Sequence, residues 1–194
     1  PIYGFHYGEA EVPVAERPEI DRWIISELNT LIKNVDACYA DYEPTRAGRL
    51  INDFVNDNLS NWYVRLCRKR FWGAGYTEDK LAAYQTLYTC LETVVKLMAP
   101  IAPFYADKLY MDLVGATGRD TVDSVHLAQF PVCDESLVDK ELEMRMELAQ
   151  KVSSMGLALR KKVNIIVKQP LQKLMIPVDA ELKARLEAVK ALIM

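Results

Sequence analysis

The chain has 194 residues, 51% of them apolar and 26% charged, with a formal net charge of −3 at neutral pH. This composition excludes a disordered, fibrous or cysteine-stapled chain and leaves room for a self-sufficient core. No apolar run reaches the roughly 18 residues of a membrane helix, and the N-terminus PIYGFHYGEAEVP has no basic region followed by an apolar one, so a cytoplasmic protein that touches no membrane is expected.

The net charge hides a segregation. Pro1 to Glu43 carries three cations and nine anions; Pro44 to Trp72 carries six cations and two anions; Gly156 to Lys173 carries five cations and no anion. Local sign decides what a surface attracts, so the second and third stretches are the places to look for an anionic partner.

The first predicted helix starts near Pro18, a favourable first-turn residue, with Glu19 and Asp21 complementing the positive helix end. Ile20, Trp23, Ile24, Leu28, Leu31, Ile32, Val35 and Tyr39 recur at threes and fours, one helical face. A second helix spans Pro44 to Trp72, with Ala47, Leu50, Ile51, Phe54, Val55, Leu59, Trp62 and Leu66 as its apolar stripe, and Gly73–Gly75 stops it. The third begins at Thr77 as N-cap and carries Leu81, Tyr84, Leu87, Tyr88, Leu91, Val94, Val95 and Met98. Pro100 and Pro103 break the chain before a fourth helix at about Phe104 to Val114. Four such helices with short links read as a bundle. Gly115 to Glu135 is irregular. A fifth helix runs from about Leu137 to Lys161, with Glu141, Glu143 and Glu147 as a solvated face. Then the period changes: VNIIVK, Val163 to Lys168, is strand-like, KLMIPV after Pro170 could pair with it, and a last helix begins near Asp179. The fold expected is therefore mainly α, a helical bundle with a small α/β element at the C-terminal end.

No phosphate-loop, dinucleotide, nucleophile-elbow or zinc-protease motif occurs. His6 and His126 have no partner at metal spacing, and His126, in the apolar SVHLAQFP, reads as a structural histidine rather than a catalytic one. Cys38, Cys67, Cys90 and Cys133 form no CxxC pair and read as reduced, buried thiols rather than zinc ligands or disulfides. The sequence offers neither a catalytic nor a metal site.

The stretch NLSNWYVRLCRKRFW, Asn58 to Trp72, stands out. On a wheel of 100° per residue, Trp62 lies mid-stripe and reads as core, but Arg65 and Lys69 fall on that same stripe, with Arg68 and Arg70 beside it. Unpaired cations cannot continue a core, so the last two turns run past it or bury only their aliphatic stems. Two readings stay open. The cations complement the helix C-terminus while Trp72 caps the core, or the helix end is a phosphate-binding surface with aromatics able to stack on unpaired bases.

DRWIISELN (Asp21–Asn29) followed by LSNWYVRLCRKRFW (Leu59–Trp72) resembles the anticodon-binding helical domain of class I isoleucyl-tRNA synthetases. LMAPIAPFYADKLY (Leu97–Tyr110), SVHLAQFP (Ser124–Pro131) and VKQPL (Val167–Leu171) resemble the family's later elements, so the resemblance covers nearly the whole chain. The valine enzymes are close relatives, but Asn61 and Arg65 point to isoleucine. Asp107 and Lys168 depart from the glutamate and arginine common in the family, and the HIGH-like and KMSKS-like catalytic motifs are absent.

The resemblance implies residues 1–17 as a linker from an absent catalytic domain, 18–135 as the bundle, and 136–194 as a long helix plus a small α/β subdomain. It implies a non-catalytic, monomeric fragment of a longer ligase. That fragment would hold the anticodon stem-loop of tRNA(Ile) beside catalytic and editing domains in cis, and ATP with Mg would serve the catalytic domain only. Arg65, Arg68, Lys69 and Arg70 are expected on phosphates, with Trp72 as a stacking candidate; Arg160, Lys161, Lys162 and Lys168 form a second expected patch. A protein-interaction module is the rival reading.

Overall fold

The computed structural model describes residues 10–73, 75–118, 122–173, 175–177, 183, 186 and 187. They form two compact units, one reaching Val138 and one beginning at Asp139.

The first unit is a helical bundle. Helix α1 spans Glu19–Ala40 and buries Trp23, Ile24, Leu28, Leu31, Ile32 and Val35, as its periodicity predicts. Each such aliphatic side chain contributes about 1.5–3 kcal/mol by leaving water. The chain reverses at Tyr42, which adopts a left-handed φ of 57°, and re-enters a helix at Pro44.

The predicted second helix is not a single regular one. It consists of α2 (Pro44–Asp53), a π-helical segment (Phe54–Val64) and α3 (Arg68–Trp72), with a turn at Cys67. A π-helix closes its hydrogen bonds over one more residue than an α-helix, so each turn takes in extra chain. The buried residues accordingly run Ala47, Ile51, Phe54, then five on to Leu59, then Tyr63, Cys67 and Phe71 at fours. The five-residue step corrects the uniform wheel: Tyr63, not Trp62, is fully buried, Trp62 is half-buried, and Leu66 is exposed.

Helix α4 (Glu78–Met98) is capped by Thr77, whose hydroxyl accepts from the Lys80 N–H at 3.2 Å. It packs against α1, α2, α3 and α5 (Pro103–Thr117). With neighbours on several sides it buries mainly small or polar residues, Ala82, Ala83, Gln85, Thr86 and Cys90, while Leu91 of the predicted stripe is exposed. Burial raises the Cys90 thiol far above its ordinary range. A second cluster joins Val95 and Ala99 to Ala106, Tyr110 and Val114 of α5 and to Val125.

Of the expected linker, the described residues 10–17 are hydrogen-bonded to α4. The Val12 N–H donates to Gln85 Oε1 (3.0 Å), and Gln85 Nε2 donates to the Ala10 carbonyl (3.2 Å). The buried Arg17 donates to the Val12 carbonyl and Thr86 Oγ1. After α5, Asp107 anchors the connection by accepting from Ser124 Oγ (2.7 Å) and the Val125 N–H (2.9 Å), and these bonds hold its carboxyl below the usual range. Val125 is buried there and His126 is exposed, so the predicted structural role of the histidine passes to its neighbour. Cys38, Cys67 and Cys90 are buried as expected, and Cys133 is half-buried.

The second unit is built on α6 (Lys140–Lys162), capped by Asp139, which accepts from the Leu142 N–H at 3.0 Å. Glu141 and Glu147 are exposed, whereas Glu143 is buried and paired with Lys140 at 2.7 Å, which corrects the fully solvated face. The predicted strand Val163–Lys168 is not formed, and no strand occurs among the described residues. Its place is taken by a helix-ending motif. Asn164 is left-handed (φ 56°), its N–H donates to the Lys161 carbonyl, and the Ile165 N–H donates to the Arg160 carbonyl. This pattern satisfies the terminal carbonyls of the helix and turns the chain back, which a β-branched run alone does not reveal. Most of KLMIPV that is described is irregular, and the predicted last helix from Asp179 lies largely outside the described residues.

Candidate nucleic-acid interface

The inner side of α3 is fixed by three residues. Cys67 and Phe71 are buried, and Phe71 packs edge-on to Tyr63 with ring centroids 6.3 Å apart. The third is Arg70. Its Nη1 and Nη2 each lie 2.7 Å from one oxygen of Asp21. Its Nε donates to Asp79 Oδ2 at 3.0 Å, and Nη2 also donates to the Asp79 carbonyl. The Tyr63 hydroxyl completes the set by donating to Asp21 Oδ1 at 2.8 Å.

Asp21, which the helix-end rule would place at the surface of the first turn, is fully buried. Burial disfavours a charged guanidinium, but the hydrogen bonds and negative charge of Asp21 outweigh it and hold Arg70 firmly protonated. Burial, reinforced by the Asp21 charge, raises the Tyr63 hydroxyl well above its ordinary range. The forked, two-oxygen contact is the strong form of an arginine–carboxylate pair.

The outer side carries the other cations. Arg65, Arg68 and Lys69 are exposed, and Arg65 and Lys69 make no ion pair among the described residues. The Arg68 guanidinium lies 4.6 Å over the ring of Trp72, which is 55% exposed. The helix ends at Gly73, where a Cβ would meet the Lys69 carbonyl at 2.9 Å. The buried Lys80 satisfies that end by donating to the Gly73 carbonyl at 2.9 Å.

The structure thus pairs Arg68 with Trp72 and leaves Arg65, Arg68 and Lys69 exposed, whereas the guanidinium of Arg70 is taken up by acidic side chains. The guanidinium of Arg70 is engaged by two carboxylates, so its work is to hold the helix end. Sequence reading missed Asp21 and Tyr63 as its partners. The only signal for them was the cation run itself, which needed an anion somewhere distant in the chain.

In the second unit Lys161, Lys162 and Lys168 are exposed. Arg160 is half-buried, its Nη1 donating to the Ile166 carbonyl (3.0 Å) and the Gln169 carbonyl (2.9 Å). It closes the turn whose tip carries Lys168. Among the described residues no group of histidine, cysteine and carboxylate side chains is arranged to hold a metal, and no helix is long and apolar enough to cross a membrane.

The bundle thus presents exposed cations at a helix end that a buried arginine–carboxylate pair braces from behind. The family described as the anticodon-binding domain of tRNA ligase matches residues 21–175, and the chain belongs to that family. Over 194 residues it is 74% identical to the isoleucine–tRNA ligase of Bacteroides thetaiotaomicron, a match covering 100% of this chain and 17% of that protein. It is 62% identical over 192 residues to the isoleucine–tRNA ligase of Porphyromonas gingivalis (98% of this chain, 16% of that protein). It is 58% identical over 190 residues to that of Cytophaga hutchinsonii (97% and 17%). The chain therefore spans about a sixth of the length of these relatives.

Proposed function

We propose that this chain is the anticodon-binding domain of an isoleucine–tRNA ligase and that it docks the anticodon stem-loop of tRNA(Ile). The observation that carries the reading is the outer side of α3. There Arg65, Arg68, Lys69 and Trp72 are displayed on a turn whose inner side is locked by the Arg70–Asp21 pair. Arginine and lysine on a rigid element position a phosphate backbone, and Trp72 offers a flat face for an unpaired base. Lys161, Lys162 and Lys168 supply a second contact, with Arg160 holding the turn that carries Lys168. The isoleucine specificity rests on the names of the relatives, which favour it over the valine alternative.

In this reading the whole protein joins isoleucine to tRNA through an adenylate, using ATP and Mg in a catalytic domain outside this chain. The chain acts in the cytoplasm as part of a monomer, with catalytic and editing domains in cis. Filter binding of the chain to isoleucine tRNA and to a non-cognate tRNA over a salt series tests it. Salt-dependent binding that prefers the isoleucine tRNA is expected. Binding indifferent to salt, or absent, overturns the reading in favour of a protein-interaction module.

A further inference from the structure

The end of α6 and the turn that follows it enclose a groove of about 750 Å³. Its apolar walls include Leu157, Val163, Ile165 and Leu171, and Lys168 and Lys173 line it as well. Among the described residues no acidic side chain lines it. The side-chain amides of Gln169 and Gln172, also in the lining, make no hydrogen bond among the described residues. The apolar walls are left open to solvent: Leu157 is 46% exposed, Val163 61% and Leu171 50%.

We infer that this groove takes an unpaired nucleotide of the bound RNA, its base between the aliphatic walls, its edge on Gln169 and Gln172, and its phosphate on Lys168 and Lys173. Each part of a nucleotide has its counterpart. Bases extruded from a stack are held between apolar side chains and read by hydrogen bonds to their edges. Amide side chains donate and accept at once, which suits an edge carrying both kinds of group. The lysines, unopposed by any carboxylate among the described lining residues, supply the charge complement. Arg160 makes the groove a built feature, because its two carbonyl contacts fix the turn from Ile166 to Gln169 before any ligand arrives. The match to the anticodon-binding family extends to residue 175, so it includes the groove. The inference rests on the RNA-binding reading above and adds a site distinct from α3.

The test uses the chain with an anticodon stem-loop RNA of isoleucine tRNA, intact and with an abasic site at each loop position in turn. With the unaltered chain, the abasic site at one position should weaken binding about tenfold, the scale of one base edge read by a well-placed amide. Gln172→Glu and, independently, Leu157→Glu should weaken the intact RNA by a similar factor and erase the penalty at that position. Lys168→Ala and Lys173→Ala should each lower the salt slope by about 0.7. If the abasic profile is the same for the unaltered chain and for both groove variants, the groove holds no base and the inference is overturned. If binding then still falls with Arg68→Ala, the RNA reading survives without it. If the unaltered chain binds no RNA, both are overturned.

Discussion

Replacing Arg70 by Ala leaves the buried Asp21 carboxylate without its guanidinium, and an orphaned buried charge of this kind costs about 3–5 kcal/mol. Replacing Arg68, two residues away, removes only an exposed stacking contact on Trp72, worth about 0.5–1 kcal/mol. Denaturant unfolding of Arg70→Ala and Arg68→Ala should therefore separate them clearly. Equal stability of the two variants would mean the Asp21 pair does not hold in solution. Tyr63 allows a second test. Its hydroxyl titrates higher folded than its ordinary value of 10.0, so the folded state keeps a proton that the unfolded chain releases. That contribution is complete below pH 10 and is lost as pH rises above it. Tyr63→Phe should be less stable than the unaltered chain at neutral pH by about 1–3 kcal/mol, the scale of a lost hydrogen bond to a charged group. The gap should narrow above pH 10, as measured by chemical unfolding across that range. A constant gap would place the hydroxyl in a solvated setting.

At the scale of elements, α1 was legible because its apolar residues keep one period from end to end, although packing against several elements also buries Ile25, Ser26 and Asn29 off that stripe. The chain from Pro44 to Trp72 was legible only as helix. Its wheel put Arg65 and Lys69 into the core, and that conflict was real information, since it marked the place where uniform geometry fails. The extra residue taken up between Phe54 and Leu59 turns the later residues about the axis, carrying Tyr63 inward and Trp62 partly outward. Local propensity does not encode that step, because the long-range contact of Tyr63 with Asp21, 42 residues away, defines which face is inside. The same holds for the run Val163 to Lys168. Its β-branched residues favour a strand, but Asn164 and the reach of Arg160 end the helix in a turn instead. The π-helical register predicts an inversion of the sequence expectation. Tyr63→Ala should cost about 3–5 kcal/mol, the range for an aromatic removed from a core, and half-buried Trp62→Ala distinctly less. Thermal or denaturant melts of the two variants decide it, and a larger loss for Trp62→Ala would restore the uniform helix.

For the whole molecule, the net charge of −3 would repel a polyanion if it were spread evenly. It is not: acidic excess lies before Pro44 and again between Gly73 and Met155, while exposed cations gather around α3 and at and beyond the end of α6. On the proposed reading, each cationic stretch attracts RNA and the acidic stretches repel it. The strength of attraction should be readable from salt, because each phosphate contact releases condensed counterions. Removing Arg65, Arg68 and Lys69 together should flatten the plot of log affinity against log salt by about two to three units, at ~0.7 per contact on single strands and ~0.9 on duplex. The triple variant should melt close to the unaltered chain, since exposed cations contribute little to folding. A slope unchanged in the folded triple variant would remove the α3 surface from the RNA interface. Arg70→Gln supplies the internal contrast: where it remains folded, affinity should fall because the helix end is no longer braced, while the salt slope should hold, because Arg70 neutralises Asp21 and Asp79 rather than phosphate. A slope that dropped by a full contact in Arg70→Gln would place that guanidinium on the RNA.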